Sequence, residues 1–212
     1  MTTDRKIVVA SSNPGKVREI RAVLGDMPVE VLSLADLEGI EEPVEDGETF
    51  AENARLKACY YGRATGLWCV AEDSGLAVDA LGGEPGIHSA RYAADVCEPG
   101  ACRDIIDTAN NAKLLAELEG VADERRTARF ICHLALADSQ GVLLETHGVI
   151  EGRIGRSPVG ENGFGYDPLF YVPKLGCTTA QLSPERKNEV SHRGQAVRAF
   201  RLKLGDLLGR AG

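Results

Sequence analysis

The sequence predicts an α/β fold, and three observations carry that expectation. A β-branched run at 6–10 is followed after a short polar turn by Val17, Ile20, Val23 and Leu24 at helical spacing. A second helix-periodic segment, 50–65, leads into the short apolar run 67–70, which reads as a buried strand starting after Gly66. Two further segments, 127–137 and 142–150, read as strands joined by Asp138-Ser139-Gln140-Gly141 in the manner of a hairpin. At 212 residues the chain suits one domain, 1–212, of one or two lobes, with ample material for a core.

Composition narrows the function classes. The formal charge of −8 argues against a nucleic-acid polymer as partner, because phosphate-backbone binding needs a broad basic surface. A single nucleotide needs only a few well-placed cations. The six cysteines form no C-x-x-C pair and no zinc-type Cys/His spacing, which suits free thiols in a reducing compartment. No apolar run approaches the length of a membrane span, and no signal-peptide pattern is present, so the expectation is a cytoplasmic protein without a membrane partner.

Taken in order, the first strand runs into Ser11-Ser12-Asn13-Pro14-Gly15-Lys16. Asn13 suits the N-cap of the following helix and Pro14 its first position. A strand, a polar turn and a helix N-terminus favour an anion, and Lys16 adds a full charge; a merely capped surface helix is the alternative. The turn is not a Walker A loop, since Ala10 stands where the leading Gly would be and Val17 replaces the Ser/Thr. A second strand is expected at 29–34, then an acidic loop at 38–48 containing Glu45. Thr49 caps the 50–65 helix, whose Phe50, Ala54, Ala58 and Tyr61 share one face. Asn53 and Lys57 lie at the rim of that face, where Lys57 either snorkels or reaches into a cleft.

After 67–70 come Glu72 and Asp73, then Ser74-Gly75, read as an acidic pair where the chain turns out of the core. Adjacent carboxylates there suit Mg²⁺ facing phosphate, or else a solvated turn. The breaker-rich run 81–86 suggests a backbone that adopts special angles or approaches something closely. A helix follows at 100–119, with Ile105, Ile106, Leu114, Leu115 and Leu118 inward. In the strand at 127–137, His133 reads as structural. The glycines alternating with Phe164 and Tyr166 in 160–171 suit a flat ring lying on an aromatic side chain, or a loop packed on itself. A last helix is expected from an N-cap at Ser191 to about 208. His192 and Arg193 in its first turn oppose the macrodipole, a local violation of the kind found where function overrides stability.

Six motifs stand in order: S-S-N-P-G-K at 11–16, D-G-E-T-F-A-E-N-A at 46–54, A-E-D-S-G-L at 71–76, L-G-G-E-P-G at 81–86, G-F-G-Y-D-P at 163–168 and S-H-R-G at 191–194. With them the chain resembles, over nearly its whole length, the Ham1/RdgB family of non-canonical purine nucleoside triphosphate pyrophosphatases. That resemblance implies hydrolysis of ITP, dITP and XTP to the monophosphate and pyrophosphate with Mg²⁺. It also implies a homodimer whose protomer has a long mixed sheet flanked by helices, and two lobes with the active-site cleft between them. By position, Ser11, Ser12, Asn13, Pro14, Gly15 and Lys16 hold the triphosphate; Asp73 is proton acceptor and metal ligand, with Ser74 beside it on the substrate. Phe164, Gly165, Tyr166 and Asp167 match the base-contacting loop, and Lys187, His192 and Arg193 match further substrate contacts.

Two departures stand out. The family's T-G-N is Ser11-Ser12-Asn13 here, and Val44 occupies a position where relatives with E-E-x-G carry a metal-binding Glu. Glu45, one residue on, is the substitute ligand, with Glu72 the alternative. Resemblance and chemistry together imply metal-assisted attack of water, Lys16 and Lys57 neutralising the leaving pyrophosphate, and donors at His192, Arg193 and backbone N–H groups reading a 6-oxo purine.

Overall fold

The structure, a computed structural model, describes residues 5–11, 13–37, 39–98 and 100–210. A seven-stranded mixed sheet has the order β2-β1-β3-β4-β5-β6-β7. Its strands are β1 Arg5–Ala10, β2 Val29–Ser33, β3 Trp68–Val78, β4 Thr127–Ala137, β5 Val142–Ile154, β6 Phe170–Val172 and β7 Cys177–Thr178. β1 lies between β2 and β3, parallel to both, whereas β5–β6 and β6–β7 are antiparallel. The helices are α1 Pro14–Leu24, α2 Phe50–Thr65, α3 Arg103–Glu117, α4 Pro184–Val190 and α5 His192–Arg210. No helix of the described residues is long and apolar enough to cross a membrane. The six thiols are free. The chain divides into two compact units. The first holds the described residues up to Asp73, Cys132–Gly148 and those from Arg193 on; the second holds Ser74–Ile131 and Val149–His192.

In the first unit, alternation along β1 and β3 sorts side chains onto two faces. Ile7, Val9 and Val70 join Val17, Ile20 and Leu24 of α1 and Val197, Phe200 and Leu204 of α5 in one core cluster. Val8, Ala10, Cys69 and Ala71 face the other way and pack with Ala54, Ala58 and Tyr61 of α2. Small residues on that face let α2 seat closely. At Gly62 a Cβ would meet the Asp138 carbonyl oxygen at 2.6 Å, so a glycine is required. α2 has the predicted bounds. Thr49 Oγ1 accepts from Glu52 N at 3.1 Å, Glu52 Oε2 accepts from Thr49 N at 3.1 Å, and Gly66 closes the helix in the left-handed region at φ 68°.

His133 stacks on His147 with ring centroids 5.4 Å apart, in keeping with a structural role. Burial, and then the neighbouring His147, hold the His133 pKa below its ordinary value of 6.5, with Arg55 adding to this and Glu145 opposing it. The unfolded chain therefore binds the proton more readily, and the associated stability is present above pH 6.5 and lost as pH falls through the native pKa. Thermal melts at pH 7.5 and 5 are expected to show a larger drop for the wild type than for His133→Gln; equal drops exclude His133 as the cause.

The second unit is built on Leu76, Val78, Leu114, Leu118, Phe130, Ile150, Tyr166, Leu169 and Phe170. α3 is shorter than the expected 100–119; Leu114, Leu115 and Leu118 pack inward as predicted, but Ile105 does not. Ile105 is 56% exposed, while Asp107, Asn110 and Leu114 are buried. The two polar side chains are inside because they serve backbone groups: Asn110 Oδ1 accepts from Ala93 N at 2.7 Å, and Asp107 Oδ2 accepts from Gly165 N at 2.8 Å.

Two further expectations are corrected, and one helix is added. The acidic pair is no turn: β3 continues through Glu72, Asp73, Ser74 and Gly75 to Val78, because sheet pairing overrides the local turn composition. β5 extends to Ile154, where the strand expectation stops at 150. The last helix is preceded by α4, which Ser183 caps by accepting from Arg186 N at 3.3 Å with Pro184 at its start. Ser191 closes α4 and, as expected, stands immediately before α5, which begins at His192.

Candidate active site

In the first unit the predicted residues form two linked charge clusters. Asn13 caps α1, its Oδ1 accepting from Gly15 N at 2.9 Å and Lys16 N at 3.3 Å, and Ser11 Oγ accepts from Asn13 N at 3.2 Å. Pro14 takes the first position of α1, as predicted; Ser12 lies outside the described residues. Lys16 Nζ reaches Glu72 Oε1 at 3.2 Å. The Glu72 carboxylate is wholly buried and also takes Arg193 Nε at 3.0 and 2.8 Å, while Arg193 Nη1 meets Glu19 at 2.9 Å. Burial works against the Arg193 charge, but Glu72 and then Glu19 outweigh it and hold the pKa well above the ordinary value. Neither Glu19 nor the pairing of Glu72 with Arg193 is anticipated by the motifs.

The second cluster centres on Lys57. Its ammonium lies 2.9 Å from Asp73 Oδ1 and 2.9 Å from Glu45 Oε2. Buried Asn53 donates to Asp73 Oδ2 at 3.4 Å and accepts from Gly47 N at 2.9 Å, tying the acidic loop to α2 and to β3. Val44 is 81% exposed, and the neighbouring Glu45 turns its carboxylate toward Lys57. Burial pushes the Asp73 carboxyl above the usual carboxylate range, against the pull of Lys57 and Lys16. Burial opposes the Lys57 charge, yet Asp73 and Glu45 together raise its pKa.

Among the described residues no group of three or more His, Cys, Asp or Glu forms a ready-made metal cage. The donor chemistry nevertheless suits a hard divalent cation. A cationic nitrogen already sits between Glu45 and Asp73, and Mg²⁺ is commonly held by one or two carboxylates with substrate phosphates completing its shell.

In the second unit, Ser74 follows on β3, and the predicted loop is braced from within. Asp167 is buried, with Oδ2 accepting from Phe164 N at 2.8 Å and Oδ1 from Thr179 Oγ1 at 2.8 Å, and it pairs with Lys187. Tyr166 is buried too, donating from its hydroxyl to Ser89 O at 2.9 Å. The side chains of Tyr166 and Asp167 thus hold the loop. The exposed member is Phe164, and Lys187 Nζ stands 4.8 Å from its ring centroid. His192 is buried and stacks on Phe130 at 4.9 Å. The bracing by Thr179 and Ser89 carries no local sequence signal.

The model of the Ham1 family matches residues 7–203. The chain is 48% identical over 200 residues to a protein of Geobacter sulfurreducens named dITP/XTP pyrophosphatase, covering 94% of this chain and 96% of that one. The structure of a HAM1 protein from Coxiella burnetii superposes with a TM-score of 0.85 at 40% identity, covering 95% of this chain and 99% of that one. A Mycobacterium abscessus structure described as nucleoside-triphosphatase / dITP/XTP pyrophosphatase gives a TM-score of 0.75 at 47% identity, covering 92% and 98%. Matched in sequence and in fold over nearly its whole length, this chain belongs to the Ham1 family.

Proposed function

We propose that the protein hydrolyses non-canonical purine nucleoside triphosphates, dITP, ITP and XTP, to the monophosphate and pyrophosphate. The observation that carries this reading is the buried Asp73 carboxyl, held by Lys57 and Asn53 beside the Glu45 carboxylate. Asp73 and Glu45 hold Mg²⁺ in this reading. Such an ion would supply charge neutralisation for the phosphate chain and would make water more acidic. Water oxygen bonds to the α-phosphorus, the α–β anhydride bond breaks, and pyrophosphate leaves with the electron pair while Asp73 takes the water proton. Lys57, Lys16 and the 11–16 segment, with Ser74, bind the phosphate chain and balance the charge on the departing group.

The 164–167 loop receives the base, its ring on Phe164. Lys187 holds the loop by pairing with Asp167. Donors at His192, Arg193 and backbone N–H groups meet the 6-oxo group. Adenine's amino group leaves those donors unmatched in a dry pocket, at about 1–3 kcal/mol for each hydrogen bond unmade. The chain acts as one domain, in a cytoplasmic homodimer without nucleic-acid or membrane partners.

The test is pyrophosphate release across a panel of XTP, dITP, ITP, ATP, GTP, dTTP, UTP and CTP. Preference for the first three with pyrophosphate as product is expected, abolished by chelation and restored by Mg²⁺. Stepwise orthophosphate release indicates an ordinary nucleoside triphosphatase, preference for dTTP, UTP or CTP a pyrophosphatase of another specificity, and tight binding without turnover a sensor.

A further inference from the structure

Two side chains of α3 hold both backbone groups of one residue of the base loop from outside. Asp107 Oδ2 accepts from Gly165 N at 2.8 Å, and Asn111 Nδ2 donates to Gly165 O at 2.9 Å. Residues four apart lie one above the other on a helix face, which matches the reach needed to take both backbone groups of one residue. Arg103, one turn earlier, pairs with Asp107 at 2.9 Å and completes a ladder along that face. Gly165 has φ +62°, a left-handed conformation that a side chain would strain. The Asn111 amide oxygen is buried and accepts no hydrogen bond within the described structure, so its side-chain orientation follows from the donation to Gly165 alone. Turned the other way, it would set oxygen against oxygen.

We propose that Asp107 and Asn111 are positioning residues for nucleobase recognition, clamping Gly165 through its N–H and its C=O so that the adjoining Phe164 ring and backbone donors are preset before the base arrives. This rests on the reading that the 164–167 loop receives the base. Asp167 fixes the loop from inside by accepting from Phe164 N, and the α3 pair fixes it from outside at the next residue. Phe164, which is exposed, is thereby held from both sides. Pre-ordering of this kind acts on substrate binding by removing the entropy of fixing the loop, and leaves the phosphate chemistry alone.

The experiment compares wild type with Asn111→Asp, Asn111→Ala, Asp107→Ala and Asp107→Asn on XTP at saturating Mg²⁺, with thermal melts to confirm folding. Asn111→Asp and Asn111→Ala lose the donor to Gly165, and Asp107→Ala loses the acceptor. Each is expected to raise KM about tenfold with kcat within about twofold of wild type. Asp107→Asn keeps an amide oxygen facing Gly165 N and is expected to hold KM within about twofold. A wild-type KM in the folded donor- and acceptor-loss variants, a fall in kcat alone, or no rescue by Asp107→Asn overturns the clamp and leaves the proposed reaction standing. Absence of XTP turnover in the wild type overturns both.

Discussion

Asp73→Asn is expected to lower kcat on XTP by about 10³- to 10⁴-fold while leaving the melting temperature close to wild type. A positioned general base contributes roughly 10²–10⁴-fold by itself, and in the proposed mechanism the same substitution would also remove a charged metal ligand. The amide is nearly isosteric with the carboxylate, and its single oxygen keeps the hydrogen bond from Lys57, so that only the long 3.4 Å contact with Asn53 Nδ2 is given up. The loss is therefore chemical and not structural. The burial that raises the Asp73 pKa also keeps water from screening it, the setting expected of a carboxylate that takes up a proton during turnover. Steady-state kinetics across Mg²⁺ concentrations, paired with circular-dichroism melts, check this. A variant within tenfold of wild type at saturating Mg²⁺ removes Asp73 from the mechanism, whatever its place in the fold.

What the sequence made readable is what local chemistry determines. α2 was legible to the residue, because Thr49, the apolar period and Gly66 each act within one turn of the helix. β3 was misread at Asp73-Ser74-Gly75 because those residue types suit a turn, whereas the strand depends on partners far away in sequence. α4 has only seven residues, too few for a period to show, although Ser183-Pro184-Glu185 is a start signal that was there to be used. On α3 the apolar period placed Leu114, Leu115 and Leu118 correctly, but Ile105 faces out, and Asp107 and Asn110 are buried for hydrogen bonds that no hydrophobic pattern reports. The candidate site divides in the same way. Lys57 at the rim of α2 and Asn13 at the cap of α1 follow from spacing and capping. The joining of Glu19, Glu72 and Arg193 brings together residues as much as 174 positions apart and had to be seen.

That joining sets the second large expectation. Arg193→Met is expected to destabilise the protein by about 3–5 kcal/mol, the usual cost of stripping a buried carboxylate of a charged partner. At about 2–4 °C per kcal/mol for a chain of this size, the melting temperature falls by roughly 10 °C. The argument turns on burial: the Glu72 side chain has no solvent exposure and that of Arg193 only 5%, so water is unable to replace the guanidinium. Lys16 still reaches Glu72, which places the loss toward the lower end of the range. Adding Glu72→Met to Arg193→Met removes the stranded charge and fills the space with an apolar chain, so the double variant is expected to recover at least half of the lost stability. Were the pair simply two exposed side chains in a favourable geometry, Arg193→Met would melt within about 2 °C of wild type. The second substitution would then restore nothing, and Glu72 would have no structural claim on Arg193.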